Sequence, residues 1–206
     1  MRTAVFGGSF DPIHQGHVDL SQAFSEKLAL DRIIIIPAFV SPFKMSKGSA
    51  PGEYRLEMCR LAFEGFPDTE VSDIEIRREG ASYTCDTLTY LSGLYPHDKL
   101  FLITGADSFL TIQSWRSPEV IFSKATICAV PRNDDDMEKL TSHAGYLKTL
   151  GAETELLNVN VMSVSSTEIR ERVRRGLSIK GLVPERVEQY ILSNGLYRSG
   201  NEGDES

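Results

Sequence analysis

Four consecutive isoleucines, Ile33 to Ile36, followed at once by Pro37, are the tightest constraint in this chain of 206 residues. β-Branched side chains favour extended backbone, and a strand sends successive side chains to opposite faces. An unbroken apolar run therefore needs cover on both faces, the condition of a parallel sheet between helices. The rest of the chain fits that demand. Strand candidates read "RTAVFGG", "TEVSDIEI", "KLFLITGAD" (a strand, then a turn), "TICAVPR" and, last, "ELLNVNVM". Helical spacing appears between them, first at Leu20, Phe24 and Leu28 and again in "GEYRLEMCRLAFEGF". It continues in "TCDTLTYLSGLY", with Thr84 or Asp86 as N-cap, in "DMEKLTSHAGYLKTLG", closed by Gly151, and in "SSTEIRERVRRG". Strands alternating with helices predict an α/β fold with a doubly wound parallel sheet. Ligands of such sheets bind beyond the carboxyl ends of the strands. The glycines ending the first strand, "TGAD", and "SVSSTEIR" all fall there.

Charge and cysteine usage narrow the function classes. Twenty-two basic residues face 29 acidic ones, a net charge of −7. That balance weighs against a nucleic-acid partner, which calls for a basic excess, but leaves room for a small anionic ligand. No apolar run approaches the roughly 20 residues of a membrane span, and no signal peptide is recognisable at the start. Cys59, Cys85 and Cys128 are scattered, with no C-x-x-C. They read as free thiols of a cytoplasmic protein, with neither zinc nor disulfides. One domain over residues 1–198 is expected, followed by a disordered polar tail at 199–206. A homo-oligomer is left open.

Two strings carry chemistry. In "GGSFDPIHQGH", His14 and His17 stand at the mouth of a helix that follows a glycine turn. That spacing can aim both imidazoles at one anion, aided by the helix N-terminus. Both read as loop residues outside the core. Gly7 and Gly8 allow close backbone approach, while Phe10 and Pro12 stiffen the loop. Zinc would need a third ligand, and none is evident. In the second string, Ser165, Ser166 and Thr167 open a helix one turn before Arg170. Alone they could be capping residues; with the guanidinium they form a phosphate clamp.

"KMSK", Lys44 to Lys47, sits downstream of H-x-G-H, and the two strings together are the signature of class I aminoacyl-tRNA synthetases. In those enzymes the KMSKS loop follows the last strand of the nucleotide-binding fold; here it follows the second. The match is read as accidental, and the chain is too short to add an anticodon-binding domain.

From about Thr3 to Tyr197 the chain resembles the bacterial nicotinate-nucleotide adenylyltransferases of the HxGH nucleotidyltransferase superfamily. The resemblance rests on "GGSFDPIHQGH", "EYRLEMCRLA", "ASYTCDTL", "ITGADSF", "VPRND", "VSSTEIRERV" and "LVPERVEQYILSNGLY". It implies a Rossmann-like nucleotidyltransferase fold and adenylyl transfer from ATP to nicotinate mononucleotide, in NAD biosynthesis. It also implies roles. His14 and His17 are catalytic. Gly7, Gly8, Ser9, Phe10, Lys44, Gly105, Asp107, Ser165, Ser166, Thr167 and Arg170 hold ATP. Tyr83, Thr84, Trp115 and Arg132 hold the nicotinate nucleotide. Magnesium would ride on the ATP phosphates, with no metal site of the protein's own. Two positions depart from the family's pattern. "SPFK" replaces a proline-proline-histidine-lysine string, and Arg116 stands where an aromatic residue is frequent.

Other residues take plainer readings. Asp134 to Asp136 read as a solvated helix start, His97 and His143 as surface residues, and Arg77 and Arg78 carry no specific signal. Trp115 could be core or could stack on a pyridine ring. Arg132 could be a surface charge or a ligand contact. Rival functions are a nucleotidyltransferase for another phosphate acceptor and a non-catalytic nucleotide sensor.

Overall fold

The computed structural model describes residues 1–40, 49–131, 134–159 and 161–198. The expected tail at 199–206 lies outside them. In chain order the elements are β1 (Arg2–Gly8), α1 (Gln15–Leu28), β2 (Arg32–Pro37), α2 (Gly52–Ala62), β3 (Thr69–Val71), α3 (Ile74–Arg78), α4 (Thr84–Leu94) and β4 (Lys99–Gly105). Then follow α5 (Ala106–Phe109), α6 (Pro118–Lys124), β5 (Ala125–Val130), α7 (Asp134–Thr149), β6 (Thr154–Leu156), α8 (Ser166–Arg174) and α9 (Glu185–Ser193).

The six strands form one sheet in the order β3-β2-β1-β4-β5-β6, and every pairing is parallel. The chain winds outward from β1 in one direction, then returns to lay β4 on its other side. That reversal leaves a crevice between the carboxyl ends of β1 and β4.

The isoleucine run does what its pattern requires. Ile33 and Ile35 join Phe24 of α1, Met58 of α2, Ile169 of α8 and Val187 of α9 in one core. Ile34 and Ile36 join Leu88 of α4, Phe109 of α5, Ile121 of α6 and Leu140 of α7 in a second core on the other face. The four are at most 2 % exposed, so each adds roughly 1.5–3 kcal/mol of burial free energy.

Three local expectations change. "TEVSDIEI" is a strand only through Val71; Ile74 to Arg78 turn into a short helix. The last strand stops at Leu156, short of the expected "ELLNVNVM". "GAD" after β4 opens the four-residue helix α5 rather than a simple turn. Among the described residues the three cysteines are buried and unpaired. No helix there is long and apolar enough to cross a membrane.

Candidate active site

A cavity of about 390 Å³ opens at the crevice between β1 and β4. Gly7, Gly8 and Ser9 leave β1 along one wall; Thr104, Gly105 and Asp107 leave β4 along another. Thr84 and Thr87 of α4, Glu75 of α3 and Trp115 close the far side. Trp115 packs against the second core and also lines the cavity.

His14 and His17 form one stacked unit. Their rings stack with centroids 3.6 Å apart and planes 24° from parallel. The His14 backbone N–H donates to His17 Nδ1 at 3.2 Å. With Nδ1 accepting, a neutral His17 ring carries its proton on Nε2. Phe10, 2 % exposed, sets its ring edge-on against His17, with centroids 5.0 Å apart. Phe10 is expected beside ATP; its side chain lies in the core and packs against the His17 ring.

His14 corrects the reading of a loop residue. It is the N-cap of α1 and only 7 % exposed. Burial pulls its pKa from the ordinary 6.5 to about 4, against a weaker opposing pull from Asp19. The ring is therefore neutral at physiological pH. Its Nδ1 is buried and lacks a hydrogen-bond partner among the described residues, a polar atom of the kind that marks functional sites. Gly16 belongs to the same construction. A Cβ there would stand 2.6 Å from the Met162 carbonyl oxygen and 3.3 Å from His14 Nδ1, so no side chain fits between the pair and the segment before α8.

The hydroxyl string also divides. Ser165 Oγ caps α8 by accepting from the Glu168 N–H at 3.1 Å. Ser166 Oγ donates to the Pro12 carbonyl at 2.9 Å. Arg170 Nη1 donates to the Asp11 carbonyl at 2.6 Å, and its Nη2 approaches Thr167 Oγ1 at 3.4 Å. The string thus binds α8 to the β1–α1 loop. A guanidinium has five N–H groups, so Arg170 keeps donors beyond those two.

Asp11 ties the loop further. Its Oδ1 accepts from the Ala50 N–H at 3.0 Å and the Tyr197 hydroxyl at 2.7 Å. Burial, ahead of the Asp11 charge, pushes the Tyr197 pKa far up, so the phenol keeps its proton. Arg55 of α2, 5 % exposed, donates to three backbone carbonyls around the same loop.

On the far side, Tyr83 rather than Thr84 or Asp86 is the N-cap of α4, with no side chain capping the helix. Thr84 and Asp86, the two expected N-caps, both lie inside the first turn. The Arg116 guanidinium lies 4.4 Å from the Tyr83 ring centroid. Arg116 thus places a positive charge beside the α4 start. Glu75, 7 % exposed, accepts from Thr87 Oγ1 at 2.5 Å. Burial pushes its pKa up, against hydrogen bonds from Thr87 and Ser82 and the charge of Arg78, with Asp86 adding to the rise.

The structure brings Gly7, Gly8, Ser9, Thr84, Gly105, Asp107 and Trp115 to one cavity. Lys44, the rest of the KMSK string and Arg132 lie outside the described residues. Asp11, Arg55, Glu75 and Tyr197 were not expected as site residues. Arg55 alone had a usable signal. It shares the helical stripe of Met58, Cys59 and Ala62, all buried, and a charge on an apolar stripe demands partners.

Three comparisons agree with this geometry. The cytidylyltransferase-like family model matches residues 5–172. A protein of Carboxydothermus hydrogenoformans named "Probable nicotinate-nucleotide adenylyltransferase" is 38 % identical over 198 residues, covering 96 % of this chain and 98 % of its own. A Thermus thermophilus protein of the same name is 41 % identical over 199 residues, covering 96 % and 100 %. A solved structure titled Plasmodium falciparum nicotinic acid mononucleotide adenylyltransferase complexed with NaAD superposes with a TM-score of 0.78. That likeness covers 95 % of this chain and 97 % of the other; at 20 % identity it speaks for the fold. With the family model matched across both walls of the crevice and relatives matched end to end, the chain belongs to the nicotinate-nucleotide adenylyltransferase family.

Proposed function

We propose that this chain transfers the adenylyl group of ATP to nicotinate mononucleotide, releasing pyrophosphate and forming nicotinate adenine dinucleotide for NAD biosynthesis. The observation that carries the reading is the stacked His14–His17 pair at the start of α1, at the end of the loop whose Gly7–Ser9 stretch lines a switch-point cavity; the far side of that cavity offers Trp115 and the start of α4, which no side chain caps. A phosphate oxygen of the mononucleotide attacks the α-phosphorus of ATP. The bond from that phosphorus to the bridging oxygen breaks, and the electron pair leaves with pyrophosphate. No covalent nucleophile is needed; positioning and charge stabilisation suffice.

The roles divide along the cavity. His17, its tautomer set by the His14 N–H, presents Nε2–H to the developing phosphate charge. His14 acts beside it as a neutral ring. Gly7, Gly8 and Ser9 let the triphosphate approach the backbone. Ser166, Thr167 and Arg170, with Lys44 by resemblance, hold its far end. Gly105 and Asp107 take the adenosine side. Trp115 stacks on the pyridine, the α4 start at Tyr83 and Thr84 receives its carboxylate, and Arg132 contributes by resemblance.

No group of three or more His, Cys, Asp and Glu among the described residues could hold a metal. Asp11 is already occupied by Ala50, Tyr197 and Arg170. The magnesium that accompanies ATP would be carried by phosphate oxygens and water, where it would neutralise phosphate charge. Residues 1–198 work as one domain. The cytoplasm suits three free thiols, and the acidic surface suits small nucleotides rather than nucleic acid.

The test is a panel of phosphate acceptors with ATP or CTP, read by pyrophosphate release. ATP with nicotinate mononucleotide should be the productive pair. The nicotinamide nucleotide should react about 30- to 1,000-fold less well in kcat/KM, the worth of a charge-assisted contact exchanged for a donor–donor mismatch. Turnover with CTP, or with an unrelated acceptor only, would overturn the reading.

A further inference from the structure

Arg55 lies far along the chain from the glycine–histidine string, yet it is among the most confined charges of the described residues at 5 % exposed. A guanidinium does not shed its charge, so it tolerates burial only where its N–H groups are answered. Three carbonyls answer it. Nη1 donates to Ser9 at 2.7 Å, Nε to Ala50 at 2.9 Å and Nη2 to Phe39 at 3.0 Å. These carbonyls come from separate stretches: Ser9 lines the cavity, Phe39 follows β2, and Ala50 precedes α2.

In a trans peptide the C=O and the following N–H point in opposite directions. Drawing the Ser9 carbonyl toward α2 turns the Phe10 N–H the other way. The Gly8 carbonyl is drawn off likewise, by the Ala38 N–H at 2.9 Å, and that turns the Ser9 N–H. Phe10 itself sits at φ +46°, a left-handed conformation that a bulky residue keeps only when its surroundings hold it there. Arg55 is the side chain that restrains the peptide entering Phe10. Phe10 in turn supports His17.

We infer that Arg55 is a positioning residue for adenylyl transfer, fixing through the Ser9 carbonyl the Gly8–Phe10 backbone that receives the ATP phosphates. The inference rests on the function proposed above. Arg55 meets neither substrate; it acts through the loop.

Arg55→Lys tests it. Lysine keeps the charge and most of the stem but offers one ammonium in place of a planar fork, so three separate carbonyls lose their common anchor. The expected result is a folded protein whose kcat falls about 10- to 100-fold, the scale of a small misplacement at the reacting centre. The KM for nicotinate mononucleotide should stay unchanged. A kcat near that of the wild type overturns the inference, as does a loss of activity that only follows the folded fraction by circular dichroism. Arg55→Ala assayed with added ethylguanidinium is the second arm. Saturable recovery of kcat at constant circular dichroism supports positioning. No recovery in folded protein, or recovery only in step with refolding, overturns it. A wild type that makes no dinucleotide removes the proposed function and this inference together; an active wild type with an unaltered lysine variant removes the inference alone.

Discussion

On the β1–α1 side of the cavity, the Ser9, Asp11 and Pro12 carbonyls are taken by Arg55, Arg170 and Ser166. The bonds from Ser166, Arg170 and Tyr197 to this loop span 154, 159 and 186 residues of chain. On the α3–α4 side the links are shorter: Thr87 to Glu75 over 12 residues, Arg78 to Thr87 over nine, and the Phe39 N–H to Ser82 Oγ over 43. The first wall exists only when the whole sheet and its last helices are in place. The second is built mainly from residues 74–87, pinned to Phe39 and Val40 just after β2, plus the short segment around Trp115. A wall closed by the global fold can change little without loss of folding, which suits the chemistry common to every substrate pair. A wall closed locally can be altered by one or two substitutions, which suits the choice of acceptor. Variants on the first wall should therefore damage turnover, and variants on the second should shift preference.

The largest effect is expected at His17. His17→Ala removes the donor proposed to face the developing charge and should lower kcat by about 100- to 1,000-fold, with the preference between acceptors unchanged. A steady-state assay with both acceptors checks this. Near-normal turnover would sink the role, and a changed acceptor ratio would blur the division between the walls. His14→Ala should lose comparable activity and also stability, because its ring is buried at an N-cap.

His14 also gives the first wall a pH signature. Its pKa is about 4 in the folded protein, against 6.5 ordinarily. The unfolded chain therefore binds the proton first as pH falls. Stability is complete above pH 6.5 and is lost progressively down to about 4, by an amount on the order of 3 kcal/mol. Denaturant midpoints of the wild type and His14→Gln at pH 7 and pH 4.5 measure it. The wild type should lose more than the variant; equal losses would mean that the ring is not held neutral by burial.

The two walls were also unequally legible in the sequence. Ile33 to Ile36 announced a strand covered on both faces because period-two geometry leaves no other use for them. "GGSFDPIHQGH" announced the loop because glycine, proline and paired histidines each restrict the backbone or carry chemistry. His14 looked like a loop residue, since burial at an N-cap depends on Met162 and other distant segments. Glu75 was hidden inside "TEVSDIEI", whose alternation imitates a strand; five residues of helix are too few to show a 3.6-residue period. α6 was not read at all, for it is seven residues long and begins after Ser117 at φ +50°. Partners such as Ser9, Phe39 and Ala50 of Arg55 are set by tertiary contact, which no local pattern encodes.

The second wall is probed first at Arg116. Its guanidinium over Tyr83 adds a positive charge beside the α4 start. Arg116→Ala should narrow the nicotinate-over-nicotinamide preference by up to about tenfold, the worth of one partly exposed charge contact, and should leave the KM for ATP alone. Raising ionic strength should mimic the change in the wild type. Product ratios from the two mononucleotides in competition give the measurement. A fall in kcat with an unaltered ratio would assign Arg116 to turnover and break the comparison.

The smallest effect is expected at Glu75, where the comparison can be sharpened by a change of opposite sign. Its carboxyl lines the same cavity as Thr84 and Trp115, with burial holding its pKa above the ordinary carboxylate value. Ionised, it repels an acceptor that brings a pyridine carboxylate; protonated, it does not. Glu75→Gln keeps an oxygen to accept from Thr87 Oγ1 and removes the charge. The nicotinate preference should then widen by roughly two- to threefold, the size of a screened like-charge contact. The widening should grow as pH rises through the raised pKa, because only there does the wild type carry the charge. Well below that pKa the two proteins should agree. Acceptor competition followed across a pH series up to pH 8 separates this from a packing effect, which would be the same throughout. A preference that narrows at pH 8 would mean that Glu75 helps to hold the acceptor, and the local wall would then owe its selectivity to attraction alone.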